Sequence, residues 1–268
     1  MNNIEHKMLD ILKRLKTEGG ILAVKAEFEA EGTRTEELLR LVEIARKADL
    51  KIGLKIGGCE AIRDLIESKQ IGVDYIIAPM VESEYALSKF IEAKNKIYDR
   101  DERKDTDFLI NIETKSGFER LKPIVELAKS KDAIDGIVFG RVDFVGSLGA
   151  DRDSVNGENI TEFCITVSRE CKDNHLDFVV GGAVSSDAIE ALEKINEIHL
   201  TRFETRKIIF SSGALSSQFL KRSLLDAVHF ELLWLQNKRS YYSLITSEDD
   251  KRISMLDKRW KLLSNTQS

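Results

Sequence analysis

The chain of 268 residues is poor in proline and cysteine and has no long apolar segment. With 2 prolines and 32% charged residues, its composition is typical of a helix-rich globular protein and excludes extensive disorder. No apolar run approaches the roughly 18 residues that a membrane helix needs, so we expect no membrane association. The three cysteines, Cys59, Cys164 and Cys171, lack zinc-site spacing and are expected to be reduced thiols.

The net charge and the length limit further which class of protein this can be. A formal net charge of −5 leaves no basic footprint of the kind that nucleic-acid-binding proteins carry, so we expect no nucleic acid partner. The N-terminal segment has neither the charged nor the apolar region of a secretory signal, which predicts a cytoplasmic protein. An α/β barrel takes about 250 residues, so the length suits one large domain.

Strand-like and helix-like segments alternate along most of the chain. The strand candidates are residues 21–27, 51–56, 74–80, 108–113, 136–143, 178–184 and 198–204. Helical patterns occupy residues 4–17, 34–48, 59–70, 83–97, 117–130, 157–174 and 187–195. Near-continuous apolar strands between such helices indicate βαβ units and a parallel sheet. Residues 207–210 would supply an eighth strand; seven strands would fit an incomplete barrel or an open doubly wound sheet.

The domain organisation follows from this pattern. We expect residues 1–215 to form the barrel with its N-terminal helix and residues 216–268 to form a helical extension with two helical patterns. The extension has more apolar surface than one covering helix needs. We therefore expect it to pack on the barrel or on a neighbouring subunit, and we expect a homo-oligomer.

Two acidic residues follow predicted strands thirty positions apart. Glu113 closes the run FLINI at residues 108–112, and Asp143 follows GIVFGRV at residues 136–142. If both strands belong to one parallel barrel, both carboxylates lie at its C-terminal rim, where barrel enzymes hold their sites. Two converging carboxylates are what a divalent cation such as Mg²⁺ or Mn²⁺ requires.

Other charged residues cluster at predicted strand ends. They are Lys25, Glu27, Glu29, Glu31, Lys55, Arg141, Glu204, Arg206 and Lys207. Charge in an apolar strand is unfavourable unless it is paired or metal-bound. Each residue alone fits a structural ion pair, but the whole set favours a site at this rim.

Three blocks of sequence resemble one known family. They are YIIAPMVE at residues 75–82, NIETKSG at residues 111–117 and GRVDFVGSLG at residues 140–149. In order and spacing the chain is similar, over roughly residues 21–210, to the HpcH/HpaI aldolase and citrate lyase beta-subunit family of the pyruvate/phosphoenolpyruvate barrel superfamily. The resemblance implies a TIM-type (β/α)8 barrel, with a modified N-terminus because the chain begins with a helix.

The resemblance also implies a chemistry. A divalent metal, Mg²⁺ first and Mn²⁺ or Co²⁺ next, would be held by Glu113 and Asp143. A 2-oxo acid would chelate it, with its carboxylate on backbone N–H groups around Gly140, Val142 and Asp143. The implied reaction makes or breaks a carbon–carbon bond beside a carbonyl, with the metal as Lewis acid on the enolate.

The sequence departs from the family at three positions. Ala30 stands where the aldolase branch has a histidine that assists proton transfer, and Lys55 stands where an arginine contacts the carbonyl oxygen. Lysine supplies charge but not the guanidinium fork. Arg141 occupies a position that is usually proline or a small residue, where it would replace the missing guanidinium or bind a more anionic substrate.

The resulting hypothesis is a metal-dependent lyase or aldolase acting on a pyruvate-like unit. In it Lys55, Glu29 and Arg141 are catalytic, and Glu27 and Arg206 join Gly140 and Val142 in binding substrate. One alternative is an enzyme that condenses phosphoenolpyruvate with a sugar or sugar acid. The other is an inactive barrel that serves as a binding subunit.

Overall fold

Eight strands close into a barrel in chain order in the computed structural model, which describes residues 1–265. The strands are β1 Ile21–Glu27, β2 Lys51–Lys55, β3 Tyr75–Ala78, β4 Asp107–Ile112, β5 Gly136–Gly140, β6 Asp177–Gly181, β7 Arg202–Glu204 and β8 Ile208–Ser211. The first seven strands are parallel. The alternating pattern of the sequence is therefore that of a barrel, not of an open sheet.

Helices connect the strands and surround them. They are α1 Asn3–Glu18, α2 Thr35–Lys47, α3 Ile62–Ile71, α4 Glu84–Ile97, α5 Lys115–Glu119, α6 Leu121–Ala128, α7 Arg141–Ser147, α8 Glu158–Asp173, α9 Ile189–Asn196 and α10 Leu220–Asn265. Short 3₁₀ helices lie at Glu102–Lys104, Arg152–Asn156, Ser186–Ala188 and Ser212–Ser216. No helix in the described part is long and apolar enough to cross a membrane.

The eighth strand is present, and it is antiparallel to both of its neighbours. It pairs antiparallel with β7, through Phe203 and Phe210, and antiparallel with β1, through Val24 and Ile208. Only three residues separate β7 from β8, whereas a parallel connection needs a dozen or more. The short link therefore forces a hairpin, and the irregular part of this barrel is its last strand.

The lower end of the barrel interior is filled. An apolar layer that includes Tyr75, Leu109 and Ile209 occupies it. Below that layer the Arg202 guanidinium bonds Asp107 at 3.2 Å and Asp177 at 2.7 Å. The space inside the barrel is thus open only towards the C-terminal ends of the parallel strands.

The C-terminal extension is one helix instead of two. No glycine or proline interrupts the sequence between residues 220 and 265, so α10 continues unbroken. It packs along α1, where Arg14 bonds Asp226 at 2.9 Å and Asn2 bonds Asn237 at 2.7 Å. The boundary proposed at residue 215 falls within the 3₁₀ turn that precedes this helix.

Several strands are shorter than predicted, and the differences are largest at β3, β5 and β7. The strand predicted at residues 136–143 ends at Gly140, where α7 begins, so Asp143 lies in the first turn of a helix. The strand predicted at residues 198–204 covers Arg202–Glu204 alone. The residues left out of the strand at 136–143 begin α7, and those left out of the strand at 198–204 include Leu200, which is buried outside the sheet.

Candidate active site

A cavity of about 410 Å³ opens at the C-terminal ends of the strands. The ionisable side chains that line it are Lys25, Glu27, Glu29, Lys55, Glu113, Asp143, Arg152, Glu204, Arg206 and Glu231. A larger groove of about 790 Å³ lies outside the barrel, but its lining includes no cationic side chain. Six carboxylates and four cations at one opening make the barrel cavity the stronger candidate site.

Glu113 is held at the end of β4 by contacts on both carboxylate oxygens. Oε1 accepts the backbone N–H of Met80 at 2.9 Å, and Oε2 accepts from Asn111 Nδ2 at 2.5 Å and Lys55 Nζ at 3.2 Å. The side chain is 2% exposed. Its carboxylate is therefore fixed in one position at the floor of the cavity.

Asp143 contrasts with Glu113, because it lies in the first turn of α7 with its carboxylate open to the cavity. Partial loss of hydration raises its pKa, and the negative charge of Glu113 raises it further. Within residues 1–265 this carboxylate has no hydrogen-bond or ion-pair partner. It is an acceptor without a donor, at the edge of an acidic cavity.

Lys55 connects two carboxylates across the cavity. Its Nζ lies 3.2 Å from Glu113 Oε2 and 3.2 Å from Glu29 Oε2. Burial lowers the pKa of this lysine, but Glu113 and Glu29 outweigh that effect, and the net pKa is raised. The side chain is therefore a permanent cation beside the acidic pair.

A second ion-pair group lies deeper in the barrel. Lys25 Nζ is 2.5 Å from Glu204 Oε1 and 3.3 Å from Glu27 Oε1, and all three side chains are buried. Burial lowers the pKa of Lys25, but the two carboxylates outweigh it and raise the pKa above its ordinary value. Burial raises the pKa of Glu27, but Lys25 and Lys55 reverse the effect and lower it. This lysine is held protonated.

Arg141 is not in the cavity, contrary to the expectation from sequence. Its guanidinium donates to the carbonyl oxygens of Gly181 at 3.3 Å and Gly182 at 2.7 Å, and to Asn156 Oδ1 at 2.9 Å. The side chain is 1% exposed, and burial lowers its pKa. Because these acceptors hold the guanidinium behind α7, Arg141 joins α7 to the end of β6 instead of pointing at a substrate.

The start of α7 approaches the segment after β6 very closely. A Cβ atom on Gly182 would lie 2.8 Å from the backbone nitrogen of Val142, and Gly182 has a φ of +82°. Only glycine is compatible with both conditions. The first N–H groups of a helix have no partner within the helix, so the backbone around Val142 presents donors at this side of the cavity.

Arg206 and Glu31 belong to the outer rim. Arg206 lies in the turn between β7 and β8, is half exposed, and has Nη1 3.9 Å from Glu31 Oε1. Lys207, also in that turn, is buried in an ion pair with the same glutamate. Ala30 lines the cavity in the loop after β1.

The residues fit a divalent cation in their charge and donor types. Six carboxylates against four cations leave two excess negative charges, and Asn111 Oδ1 is buried without a hydrogen bond. A cation that keeps several waters supplies such donors. In the described part of the chain, however, no group of three or more His, Cys, Asp or Glu side chains could hold a metal ion. Only two carboxylates would come from the protein.

Sequence reasoning missed several lining residues. Asn111, which holds Glu113, was detectable as a polar residue inside an apolar strand. Arg152, Val228 and Glu231 carry no such signal. Val228 and Glu231 come from α10, which is distant from the strand ends in the sequence.

Comparisons with known proteins place the fold. The chain is similar to the structure of an HpcH/HpaI aldolase from Desulfitobacterium hafniense, with a TM-score of 0.60, 14% identity, and coverage of 74% of this chain and 82% of that one. The structure of an HpcH/HpaI aldolase/citrate lyase family protein from Burkholderia cenocepacia has a TM-score of 0.57 and 11% identity, with coverage of 84% of this chain and 89% of that one. The structure of a variant of the citrate synthase SbnG has a TM-score of 0.54 and 15% identity, with coverage of 74% of this chain and 81% of that one. At these identities the likeness concerns the fold alone.

The sequence comparisons add the family. No curated protein matches the chain significantly. The model of the family described as HpcH/HpaI aldolase/citrate lyase matches residues 35–203, which is more than half of the chain. The chain therefore belongs to the HpcH/HpaI aldolase/citrate lyase family, and its family and fold support an aldolase- or lyase-type function in the pyruvate/phosphoenolpyruvate superfamily.

Proposed function

We propose that this protein is a divalent-metal-dependent carbon–carbon lyase or aldolase that acts on a 2-oxo acid through an enolate. The observation that carries the proposal is the state of Asp143. Its carboxylate has no cationic partner within hydrogen-bond distance in the described residues, and its pKa is raised by partial burial and by the negative charge of Glu113. A cation bound between Asp143 and Glu113 would remove that electrostatic penalty.

We propose that Glu113 and Asp143 hold the metal, Mg²⁺ in the first place. Mg²⁺ binds proteins through one or two carboxylates and takes its other ligands from water and substrate. When bound, the cation would supply a Lewis acid that stabilises negative charge on the substrate's carbonyl oxygen. Mn²⁺ and Co²⁺ suit the same oxygen donors, so they are alternatives.

Lys55 is the residue that we assign to charge stabilisation. It remains protonated because Glu113 and Glu29 raise its pKa. A fixed cation in a partly dry cavity stabilises a developing enolate without reorganisation during the reaction. It stands in for the guanidinium of the related aldolases as a point charge, without the bidentate geometry.

Glu29 is our candidate for proton transfer. The residue lies on the loop after β1 beside Ala30, and its Oε2 has an ion-pair contact to Lys55 but no hydrogen bond. Its side chain lines the cavity. A carboxylate there can take a proton from the substrate or from water and return it.

We propose that the substrate carboxylate binds the backbone at the start of α7. N–H groups around Gly140 and Val142 are donors there, and the positive end of the helix favours an anion. In this scheme Arg141 is a positioning residue, since its bonds to Gly181 and Gly182 fix α7 against β6. Glu27 takes part indirectly, through its ion pair with Lys25.

A second candidate is a condensation that uses phosphoenolpyruvate. Arg152 and Arg206 supply two cations at the cavity rim, outside the ion pairs of its floor. Such cations suit a phosphate or a second acidic group on the substrate. Release of inorganic phosphate from phosphoenolpyruvate and an acceptor sugar would distinguish this reaction from an aldol cleavage.

The metal site is tested by calorimetric titration of Mg²⁺ and Mn²⁺ into the wild type, E113Q and D143N. We expect each variant to bind at least about 10-fold more weakly. E119Q, an exposed change on α5 beside the same face, is the matched control and should bind like the wild type. Unchanged binding by E113Q with a normal unfolding transition would reject the assignment.

A further inference from the structure

The outward face of α10 has a seven-residue repeat along most of the helix. Its first part consists of Leu225, Val228, Leu232 and Leu235, separated by alternate steps of three and four residues. All four are between 51% and 69% exposed. The opposite face, including Leu224, Phe230 and Trp234, is buried against the rest of the protein. The exposed row is therefore additional to the one that packs α10 on its own barrel.

The same steps of three and four continue to the end of the helix. After a polar middle, the row resumes with Ile253, Leu256, Trp260 and Leu263, which are between 47% and 67% exposed. Spacing that alternates between three and four is the pattern by which two helices pair in a coiled coil. A strict seven-residue repeat also implies a left-handed supercoil. From Leu225 to Leu263 the row spans about 57 Å.

The middle of the row determines which pairing is favourable. Its four positions are Arg239, Tyr242, Thr246 and Asp249, so its only charged members have opposite signs. Tyr242 is half-buried, since its hydroxyl bonds Glu37 and the Arg34 guanidinium of its own chain lies over its ring, so the outward row is interrupted at this position. In an antiparallel pair centred on Leu244, Arg239 of one helix lies opposite Asp249 of the other, twice. In a parallel pair in register, Arg239 would face Arg239 and Asp249 would face Asp249. Like charges placed together disfavour that arrangement.

The apolar blocks are complementary in the same antiparallel register. Leu225 to Leu235 of one copy meets Ile253 to Leu263 of the other, and Val228 lies opposite Trp260. The half of α10 that extends past its own barrel thus covers the exposed face of the half that packs on the other barrel. The two barrels then lie at opposite ends of the helix pair, and each keeps its contacts with its own α10.

In the antiparallel register, three pairs of ionisable side chains flank the row. Glu231 comes beside Arg259 of the second copy, and His229 comes beside Asp257. One pair is unfavourable, since Lys238 approaches Arg252. Lys238, however, already has an ion pair with Glu37 of its own chain at 2.9 Å. The flanking charges thus leave the choice of register to the apolar blocks and to the Arg239 and Asp249 layer.

We propose that two copies of this chain associate through antiparallel pairing of α10, centred on Leu244, with Arg239 and Asp249 as the charged layer. The paired helix lies outside residues 35–203 that match the family model. Because Val228 also lines the barrel cavity, the pairing brings Trp260 of the second copy to the cavity mouth. The proposal does not depend on the reaction that the cavity catalyses.

Sedimentation equilibrium of the full chain tests the charged layer. The wild type should have twice the monomer mass of 30.4 kDa at micromolar concentration. R239D and D249R each place like charges in the antiparallel register and should weaken the dimer about 100-fold, because the contact occurs twice. The double variant R239D/D249R restores opposite charges and should regain the wild-type mass. K258D, on the opposite face of the same helix, should leave the dimer unchanged.

Disulfide trapping tests the direction. In a C59S background, L232C mixed with L256C should form a covalent heterodimer under mild oxidation, since these positions face each other in the antiparallel pair. Neither variant should cross-link to itself. A monomeric wild type at tens of micromolar, self-cross-linking of L232C, or failure of the double charge swap to restore the dimer would overturn the proposal. Circular dichroism would verify that each variant remains folded.

Discussion

The Glu113 carboxylate lies directly against the Cα atom of Gly140, on the neighbouring strand. A Cβ atom at position 140 would come within 2.6 Å of Glu113 Oε2 and 2.8 Å of its Cβ. The absence of a side chain on β5 is therefore a condition for the position of the acidic residue on β4. The blocks at residues 111–117 and 140–149, which both resemble the family, are in contact here.

Replacement of Gly140 by alanine tests this contact. In G140A the added methyl displaces the Glu113 carboxylate, so we expect Mg²⁺ affinity to fall at least about 10-fold while the barrel stays folded. Titration calorimetry with thermal denaturation measures both. G146A on α7 is the matched control, because a Cβ there meets nothing within 4 Å. Wild-type binding by G140A would contradict the role of Glu113.

Substitution of Arg141 should lower the stability of the fold more than it weakens substrate binding. In R141K the side chain keeps its charge but cannot reach Gly181, Gly182 and Asn156 together, so we expect a loss of about 2–5 kcal/mol in unfolding free energy. Urea denaturation measures it, and the exposed R206K should change stability little. If R141K unfolds like the wild type but raises KM sharply, Arg141 contacts the substrate and our placement is wrong.

Replacing Lys25 by methionine should reverse the way in which the free energy of unfolding changes with pH in the wild type. In the wild type the lowered pKa of Glu27 gives stability that is present above its unfolded pKa and is lost as pH falls through the folded one. K25M leaves Glu27 and Glu204 without this partner, which should reduce stability by about 3–5 kcal/mol at neutral pH.

The deficit of K25M should shrink towards about pH 5, because protonation of the two carboxylates relieves the unpaired charge. Urea denaturation at several pH values checks this trend. K194M removes an exposed lysine paired with Glu190 at 2.9 Å, and should change stability little at any pH. A K25M deficit that is independent of pH would argue against a buried charge triad.

Metal binding should release protons in mildly acidic solution. The raised pKa of Asp143 means that its carboxylate is partly protonated at a pH where an ordinary aspartate is ionised, and a cation must displace that proton. We expect Mg²⁺ affinity to fall as pH drops from about 6 to about 4. Calorimetry in buffers of different ionisation enthalpy counts the protons. Absence of any linkage would exclude Asp143 as a ligand.

Much of the fold follows from sequence pattern, and the exceptions have physical causes. Alternating apolar runs and amphipathic helices indicate the barrel, and the three-residue link before Ile208 already forbids a parallel crossover. The direction of β8 is not encoded in its own residues, because a short buried run packs equally well either way. Likewise, the strand predicted at residues 136–143 ends at Gly140, because residues 141–143 form the first turn of α7, which is fixed by burial of Phe144 and Val145.

The candidate site was only partly accessible from sequence. Glu113 and Asp143 line one cavity because both follow parallel strands, although their role as metal ligands stays a prediction. The direction of the Arg141 side chain depends on carbonyl groups of β6, forty residues away, which no local pattern reveals. The contribution of α10 to the cavity depends in the same way on packing between distant segments.

The central claim is that Glu113 and Asp143 hold a cation that promotes enolate formation, and proton exchange tests it most directly. Deuterium incorporation into the methyl group of pyruvate should be followed by NMR with Mg²⁺, Mn²⁺ or Co²⁺ and with excess chelator. We predict exchange that requires the metal and is lost in E113Q and D143N. Exchange that persists in chelator or in E113Q, or no exchange although the metal is shown to bind, would contradict the account.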